Sequence, residues 1–374
     1  MHRDEFHVPG PGPYVLTHSV GCLPKTSVDA VHASFLRPWQ LSGGDAWDPW
    51  LAAVESFREC LANLLGGNAA DYCPQSNLSS GLAKLLPALP KPDGRAVLLA
   101  AEDSFPSLAF VLQRACRTGF DLRFIARGHD PSNAATWAEA LTDDVAAVLV
   151  THAHSNTGVV TPVAKIAALC RQRGIRCIVD VAQSAGILPL SVPDCGADIV
   201  LGSCVKWLCG GPGAGFMWIS PALVQHLAPA DVGWFSHADP FEFDVHSFRF
   251  AADARRFWGG TPSIAPYAIA AQSMQVIANI GIAAIRAQNI ELMNVFRDAL
   301  PAAWRRGLDL DRIGGTICLN LGDALPGIMS VLRANAVRLD CRGPVLRLSF
   351  HVYNTSAEAA FIAGCVAGGL PKCQ

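Results

Sequence analysis

The feature that most constrains the fold is an alternation of short apolar runs with stretches of helical periodicity, which begins near residue 50. Apolar runs without polar alternation are typical of strands that are buried on both faces, as in a parallel sheet. The helical stretches supply the crossover connections that parallel strands need. The pattern therefore predicts an α/β fold with a mostly parallel, doubly wound sheet. The predicted strands are residues 95–101, 122–126, 145–151, 177–181, 199–202 and 215–219.

Departures from this alternation divide the chain into three parts. Residues 1–20 contain the segment PGPGP at 9–13, which is incompatible with regular helix and predicts an arm. Residues 21–262 carry the alternation and form the predicted large domain. The pattern then changes to long helical stretches followed by strand-like runs, so residues 263–374 are predicted to be a smaller α+β domain that packs with the arm.

Composition excludes several classes of function. The 374 residues are 51% hydrophobic and 16% charged, with a formal net charge of −2, which disfavours disorder and a basic nucleic-acid surface. The 13 cysteines include no C-x-x-C pair, and several stand inside apolar runs, as buried thiols of a reducing compartment do. We find no signal core and no run long enough to span a bilayer, so we expect a cytoplasmic protein without membrane or nucleic-acid partners.

Two opposite charges stand beside predicted strands. Asp180 follows Cys177-Ile178-Val179, and Lys206 follows the run 199–202 after the turn Ser203-Cys204-Val205. Ligands of open parallel sheets bind beyond the carboxyl ends of the strands, and paired charges in apolar surroundings are costly unless they serve a ligand. Pyridoxal 5'-phosphate (PLP) requires such a pair, a lysine that forms an imine and a carboxylate that keeps the pyridine nitrogen protonated. A structural ion pair is the alternative that these two residues alone leave open.

Further residues at predicted strand ends suit the same ligand. Ser76 and Asn77 directly precede a helix-like stretch at 78–86, and donors at a helix start bind anions such as phosphate. Phe105 follows another strand and can stack on a pyridine ring. Asn156 follows a third strand and can reach the ring oxygen or the substrate. Ordinary helix caps and a packed loop aromatic are the alternatives.

Other chemistries lack part of their pattern. His152 and His154 share one face of an extended segment, as metal ligands do, but no third ligand is apparent and we expect no metal. The segment 203–206 spells S-x-x-K, the nucleophile motif of penicillin-binding acyl hydrolases, without S-D-N and K-T-G partners. The glycines of segment 210–215 do not form G-x-G-x-x-G, which argues against a dinucleotide site.

Two longer segments carry a family resemblance. Residues 179–186 (VDVAQSAG) and 202–213 (GSCVKWLCGGPG) resemble the class V aminotransferase family of fold-type I PLP enzymes, which includes kynureninases, cysteine desulfurases and isopenicillin-N epimerase-like proteins. The resemblance covers nearly the whole chain. It implies a PLP-dependent transferase fold and an α-amino acid substrate.

Within this family the likeness is greatest to kynureninases, which hydrolyse kynurenine to anthranilate and alanine. The turn 18–21 (HSVG) resembles their N-S-L-G turn, 105–107 (FPS) their F-P-S-D loop and 233–237 (GWFSH) their G-W-F-G-H segment. Residues 260–264 (GTPSI) resemble their phosphate-reaching loop from the partner subunit, and 340–347 (DCRGPVLR) their D-W-R-x-P-x-x-x-R segment. The resemblance thus implies cleavage at the β-carbon by way of an aldimine, a carbanion and a ketimine.

Site roles follow from the resemblance residue by residue. Lys206 forms the imine and Asp180 holds the pyridine nitrogen, so these two are the implied catalytic residues. Arg347 clamps the α-carboxylate of the substrate, with Ser19 and Asn156 beside it. Thr261 comes from the other subunit, which implies a homodimer with a shared active site. The implied cofactor-binding residues are Ser76, Asn77, Phe105, Thr151, Asn156, Asp180, Gln183, Ser203, Lys206, Trp234 and Thr261.

The chain departs from the kynureninase pattern at three positions. Val205 stands where kynureninases have Tyr, Leu108 stands where their loop ends in Asp, and Asn156 replaces a Tyr. The alternatives are another class V activity, namely cysteine desulfurase or C–S lyase, decarboxylase, epimerase or aminotransferase, or a non-catalytic PLP-binding protein. Cys341 invites the desulfurase interpretation, but it lies six residues before Arg347 inside the kynureninase-like segment, and we expect it to be structural.

Overall fold

A computed structural model describes residues 2–91, 94–305 and 308–369. The strands are β1 (Phe6–His7), β2 (Leu23–Pro24), β3 (Tyr72–Gln75), β4 (Val97–Ala101), β5 (Asp121–Ile125), β6 (Val145–Thr151), β7 (Arg176–Asp180), β8 (Ile199–Ser203), β9 (Gly215–Ile219), β10 (Thr316–Asn320), β11 (Asp340–Arg342) and β12 (Val345–Ser349). The α-helices are α1 (Thr26–Val31), α2 (Arg37–Ser42), α3 (Trp47–Leu65), α4 (Leu78–Leu85), α5 (Pro106–Ala115), α6 (Ala134–Ala140), α7 (Val163–Arg173), α8 (Pro221–Val224), α9 (Ala265–Ile280), α10 (Ile282–Ala299), α11 (Ala302–Arg305), α12 (Leu325–Ala334) and α13 (Ser356–Gly368).

The main sheet confirms the predicted α/β fold. Seven described strands follow the order β3-β9-β8-β7-β6-β4-β5, and the neighbouring pairs from β8 to β5 are parallel. Strand β9 runs antiparallel to both of its neighbours, so β3 points in the same direction as the parallel strands. As a consequence, the carboxyl ends of β3, β4, β6, β7 and β8 meet at one edge of the sheet.

Burial on both faces explains the long apolar runs. Successive side chains of β7 enter different hydrophobic clusters, because Ile178 packs on one face of the sheet and Val179 on the other. All residues of β4 and β6 are buried. The cysteines of the apolar runs, such as Cys177 and Cys204, are buried as free thiols.

The C-terminal part has its own sheet and core. Strand β12 lies between β10 and β11 and pairs antiparallel with both. Residue Val15 of the N-terminal arm is buried in the same hydrophobic cluster as Leu346 and Ile362. The arm also forms isolated bridges between Tyr14 and Arg338 and between Leu16 and Ser349. The arm therefore packs on the C-terminal part of the chain.

The predicted boundary at residue 262 stays a proposal, and the packing of α9 suggests a later one. Tyr267, Met274 and Ile277 of this helix are buried in the cluster that also contains Phe57 of α3. A boundary near Gly281, where α9 ends, fits this packing better.

Among the described helices, no single one is both long and apolar enough to cross a bilayer. Helices α9 and α10 reach the necessary length and apolarity only when they are taken together, and a bend of 74° separates them.

Candidate active site

The strand ends enclose a cavity of about 390 Å3 at the carboxyl edge of the main sheet. Parallel strands place the residues that follow them at a common edge, which is where ligands of such folds bind. The sequence-predicted residues that line this cavity are Asn77, Phe105, Thr151, Asp180, Gln183, Ser203 and Lys206.

Lys206 reaches the cavity from the turn that follows β8. The turn is held by backbone hydrogen bonds, from the Cys204 amide to Ala214 O over 2.9 Å and from the Gly210 amide to Cys204 O over 2.7 Å. Burial lowers the pKa of the Lys206 amine, and nearby Arg347 and Arg342 lower it further, whereas Asp180 acts in the opposite direction. A lowered pKa increases the neutral, nucleophilic fraction of the amine, as a lysine that forms an imine requires.

Asp180 ends β7 at the floor of the cavity and is 5% exposed. Its Oδ1 accepts a hydrogen bond from the Ala182 amide over 2.8 Å. Burial raises the pKa of the carboxyl, while the Ala182 amide, Lys206 and His154 oppose the rise. A buried carboxylate of this kind is stabilised by a cationic partner, which a protonated pyridine nitrogen provides.

Thr151 supplies a second sign that the cavity is built for a polar ligand. Its Oγ1 is buried and has no hydrogen-bond partner among the described residues. Buried hydroxyls are normally paired, so an unpaired one in a cavity wall suits a ligand that carries a hydrogen-bonding group. Thr151 and Asp180 lie side by side in the β6–β7 register. The residues present therefore fit PLP.

The start of α4, which also lines the cavity, has the features of an anion site. Asn77 caps α4, and its Oδ1 accepts from the Ser80 amide over 2.9 Å. Asn77 Nδ2 lies 3.4 Å from the hydroxyl of the exposed Ser76. Leu78 and Ser79, whose amides belong to the unpaired first turn of the helix, line the cavity. This helix start can hold a phosphate group.

Phe105 covers the cavity from the residue before α5, and its side chain remains 39% exposed. Lys206 Nζ lies 5.7 Å and the Arg342 guanidinium carbon 5.8 Å from the centroid of its ring. The ring thus marks the place where a cofactor held by Lys206 can stack.

Gln183 lines the cavity, and its side-chain amide already forms two hydrogen bonds. Its Nε2 donates to His18 O over 2.9 Å, and its Oε1 accepts from Trp207 Nε1 over 3.3 Å. One amide N–H remains for a ligand, because a side-chain amide carries two.

Besides Ser76, five predicted site residues lie outside the cavity lining in the described part of one chain. Asn156 Oδ1 accepts from Arg342 Nη1 over 2.5 Å, at the wall of an adjoining cavity. Ser19 belongs to a turn in which its amide donates to Leu16 O. Trp234 packs in an aromatic cluster, and Thr261 is exposed. The fifth is Arg347.

Arg347 is 4% exposed and is held by protein acceptors. Its Nε donates to Asp340 Oδ1 over 2.8 Å, its Nη2 donates to Asp340 Oδ2, and its Nη1 donates to Ser155 O over 3.0 Å. His18 Nε2 lies 2.9 Å from the same Asp340 Oδ1. Burial opposes ionisation of Asp340, but hydrogen bonds from His18 and Arg347 outweigh it and hold the pKa of Asp340 below its usual range.

Sequence reasoning missed His18, Asp340 and Arg342 as site residues. Arg342 donates to Ser155 Oγ over 3.1 Å in addition to its bond with Asn156. Asp340 and Arg347 are direct cross-strand neighbours on β11 and β12, across a turn in which Gly343 has φ of 56°. The Gly343-Pro344 pair was the available signal, because such residues mark a hairpin turn between short strands.

Comparison with known proteins identifies the family. The family model for class V aminotransferases matches residues 53–360, which is most of the chain. The chain belongs to the class V aminotransferase family. It is consequently a PLP-dependent enzyme of that class, as the sequence predicted.

Relatives of this class V enzyme include proteins named kynureninase. One from Deinococcus radiodurans is 31% identical over 79% of the chain and 72% of its own length. Another from Geobacillus thermodenitrificans is 28% identical over 95% of the chain and 87% of its own length.

Solved structures confirm the fold of this class V enzyme. A cysteine desulfurase from Thermococcus onnurineus NA1 superposes with a TM-score of 0.82 at 21% identity, over 96% of this chain and 95% of that one. The cystine C–S lyase C-DES superposes with a TM-score of 0.84 at 21% identity, over 95% and 97%.

Proposed function

We propose that this class V enzyme acts on an α-amino acid and cleaves it at the β-carbon, in the manner of a kynureninase. The 31% identity to a kynureninase over 79% of the chain supports this reaction class. Substrates with an aryl ketone at the γ-position are the ones to test first.

The placement of two cysteines is the observation that favours kynureninase chemistry rather than cysteine desulfurase chemistry. Desulfurases need an accessible thiolate near the substrate. Cys318 lies beside Ser155, but burial raises the pKa of its thiol to about 12, so it stays protonated. Cys341 is exposed and lies between Asp340 and Arg342 on β11, and alternation along the strand directs its side chain to the opposite face.

The proposed roles of the chain's residues follow from their positions. When bound, PLP withdraws electrons from the Cα of the amino acid joined to it. Asp180 would keep a proton at the pyridine nitrogen, and the first turn of α4 would hold the phosphate with Ser76 and Asn77. Lys206 would hold the cofactor covalently and, once released, move the Cα proton. Arg347 would hold the α-carboxylate through the guanidinium N–H groups that Asp340 and Ser155 leave free.

Leu108 and Val205 both depart from the kynureninase pattern. Leu108 is 1% exposed and lines the cavity with an apolar side chain where kynureninases have a carboxylate. Val205 offers no hydroxyl beside Lys206, and its backbone O accepts from the Gly21 amide over 2.8 Å. Without that hydroxyl, Lys206 would serve as the proton-transfer group at this end of the site.

We also propose that the active unit is a homodimer. A chain of aromatic contacts runs along the surface through Trp39, Trp50, Trp47, Trp234 and Phe243. Trp39 is 56% and Phe243 is 74% exposed, and apolar surfaces of this kind mark protein interfaces. Trp234 and Thr261 would then serve the cavity of the partner subunit. Mixing Lys206→Ala protein with Thr261→Ala protein tests this, because a shared site recovers activity that neither variant has alone.

The decisive experiment is spectroscopic and chemical. Purified protein should show the visible absorbance of lysine-bound PLP, and borohydride should fix the cofactor to Lys206. Kynurenine and 3-hydroxykynurenine should yield alanine, whereas cysteine and cysteine conjugates should not release sulfur. Sulfur release without cleavage of kynurenine would favour a desulfurase or C–S lyase. A colourless protein that binds no added PLP would overturn the assignment of these residues.

A further inference from the structure

The N-terminal arm contributes a buried histidine to the surroundings of the proposed carboxylate clamp. His18 is 1% exposed. In the chain it lies between Leu16, which forms a β-bridge with Ser349, and the turn at Gly21. Its Nε2 lies 2.9 Å from Asp340 Oδ1, and its Nδ1 lies 2.8 Å from Ser349 Oγ. Arg347 Nε donates to the same Asp340 Oδ1, so the histidine ring and the guanidinium group share this oxygen.

The partners of the ring define its protonation. A carboxylate only accepts hydrogen bonds, so a His18 ring that bonds to Asp340 carries a proton on Nε2. Ser349 Oγ accepts from the His18 amide over 3.0 Å and donates to Val15 O over 3.2 Å, and Nδ1 of the ring lies beside it. Burial lowers the pKa of His18, and the charges of Arg347 and Lys206 lower it further, although Asp340 opposes them. The Nε2 proton toward Asp340 is therefore the part of the ring that matters for the contact.

The same arm segment also contacts the cofactor end of the site. His18 O accepts from Gln183 Nε2 over 2.9 Å, and the Gly21 amide donates to Val205 O over 2.8 Å. A Cβ on Gly21 would lie 2.1 Å from Lys206 O, so the arm and the lysine turn are in direct backbone contact. The segment 18–21 thus spans the distance between the proposed clamp and the lysine.

We propose that His18 is a positioning residue that fixes the orientation of Arg347 through Asp340 and so sets the affinity of the site for the α-carboxylate of its substrate. This inference rests on the proposed role of Arg347. Asp340 holds the Nε and Nη2 edge of the guanidinium, and His18 prevents rotation of that carboxylate. Without the histidine proton, the carboxylate loses one of the hydrogen bonds that orient it, and the free N–H groups of Arg347 are no longer fixed toward the substrate.

The test compares ligands that differ only in the carboxylate. Titration of the holoenzyme with L-alanine and L-alaninamide, followed by visible absorbance, gives the two dissociation constants and their ratio. His18→Phe, which keeps a ring but no hydrogen bond, should raise the dissociation constant for alanine by on the order of tenfold and leave that for alaninamide nearly unchanged. His18→Gln places an amide donor near the position of Nε2 and should restore most of the preference. His226→Phe, at an exposed histidine, is the matched control.

The results of these variants distinguish a failure of this inference from a failure of the proposed function. If Arg347→Met abolishes the preference for alanine over alaninamide and His18→Phe preserves it, the role of His18 is refuted while the clamp stands. If Arg347→Met itself preserves the preference, the clamp is wrong and the inference falls with it. Should His18→Phe fail to fold, Asp340→Asn interrupts the same chain of contacts, and an unchanged ratio in that variant overturns the proposal equally.

Discussion

Arg347 meets Asp340 edge to edge, because Nε donates to Oδ1 over 2.8 Å while Nη2 donates to Oδ2 of the same carboxylate. Arg347 is 4% exposed, so Asp340 rather than water compensates its charge. Removing one member of a buried ion pair leaves the other charge uncompensated.

Asp340→Asn should lower the free energy of unfolding by about 1–3 kcal/mol, since the amide keeps the shape but removes the charge opposite Arg347. Chemical denaturation at pH 7 measures the difference. Asp323→Asn, at an exposed residue, is the control and should change little. Equal stabilities of Asp340→Asn and the unmodified protein would contradict the prediction.

The pH dependence of this difference has a definite sign. The folded pKa of Asp340 lies below its usual value because hydrogen bonds from His18 and Arg347 outweigh the effect of burial. The stability contributed by the ionised carboxyl is therefore fully present above the unfolded pKa of about 3.9 and is lost as the pH falls through the folded pKa. Unfolding curves at pH 7, 5 and 3 should show the gap between the two proteins narrowing at the lowest pH.

Lys206→Ala should abolish covalent attachment of PLP and reduce turnover by at least ~10³-fold, since the amine both holds the cofactor and moves the Cα proton. Mass spectrometry after borohydride treatment measures the attachment. Lys165→Ala, at an exposed lysine of α7, is the control. Undiminished turnover in the Lys206 variant would refute the assignment.

Val205→Tyr should increase the rate of kynurenine cleavage, because a hydroxyl is restored next to Lys206 where kynureninases have one. Steady-state kinetics on kynurenine and on cysteine measure the change, with Val205→Phe as the control that adds the ring alone. Activity that appears only in the tyrosine variant would mean that the parent enzyme acts on a different amino acid.

Arg342→Gln should raise the pKa of Lys206 in the cofactor-free protein. Burial is the main cause of the lowered pKa of this lysine, and the charge of Arg342 contributes in the same direction. Capture of PLP needs the neutral amine, so the capture rate rises with pH, and its midpoint should move to higher pH in the variant. Stopped-flow absorbance measures the midpoint, and Arg333→Gln, at an exposed arginine, should leave it in place.

Gly21→Ala should weaken cofactor binding and lower the melting temperature. The added Cβ would lie 2.1 Å from Lys206 O and 2.6 Å from Cys209 Sγ, so either the arm or the lysine turn must move. Gly44→Ala is the matched control, because a Cβ there meets nothing within 4 Å. A PLP affinity equal to that of the control would show that the arm and the lysine turn move independently.

The parts of the fold that local pattern determines could be predicted from the sequence. Runs buried on both faces have no polar interruption, so β6 and β9 were placed with their observed bounds. The direction of β9 could not be predicted, because an apolar run carries no information on whether its partners run parallel or antiparallel. Strand β3 was missed because it has four residues and contains Pro74, which is tolerated at the edge position that β3 occupies.

The site residues also fall into a group that the sequence could predict and a group that it could not. Thr151 and Asp180 end parallel strands of one sheet and Lys206 follows another, so their convergence could be inferred from chain order alone. The contact between His18 and Asp340 joins residues far apart in the sequence and depends on how the arm crosses the C-terminal sheet. Periodicity and turn signals describe neighbours along the chain, and they contain nothing about such a crossing.

The bridge between Leu16 and Ser349 has a consequence for biosynthesis. The arm is translated well before its partner strand β12. Domains can fold as they emerge, but this docking must wait until β12 has been translated. Until then His18 lacks its contacts with Ser349, and a nascent chain should complete its carboxylate clamp only after β12 has emerged.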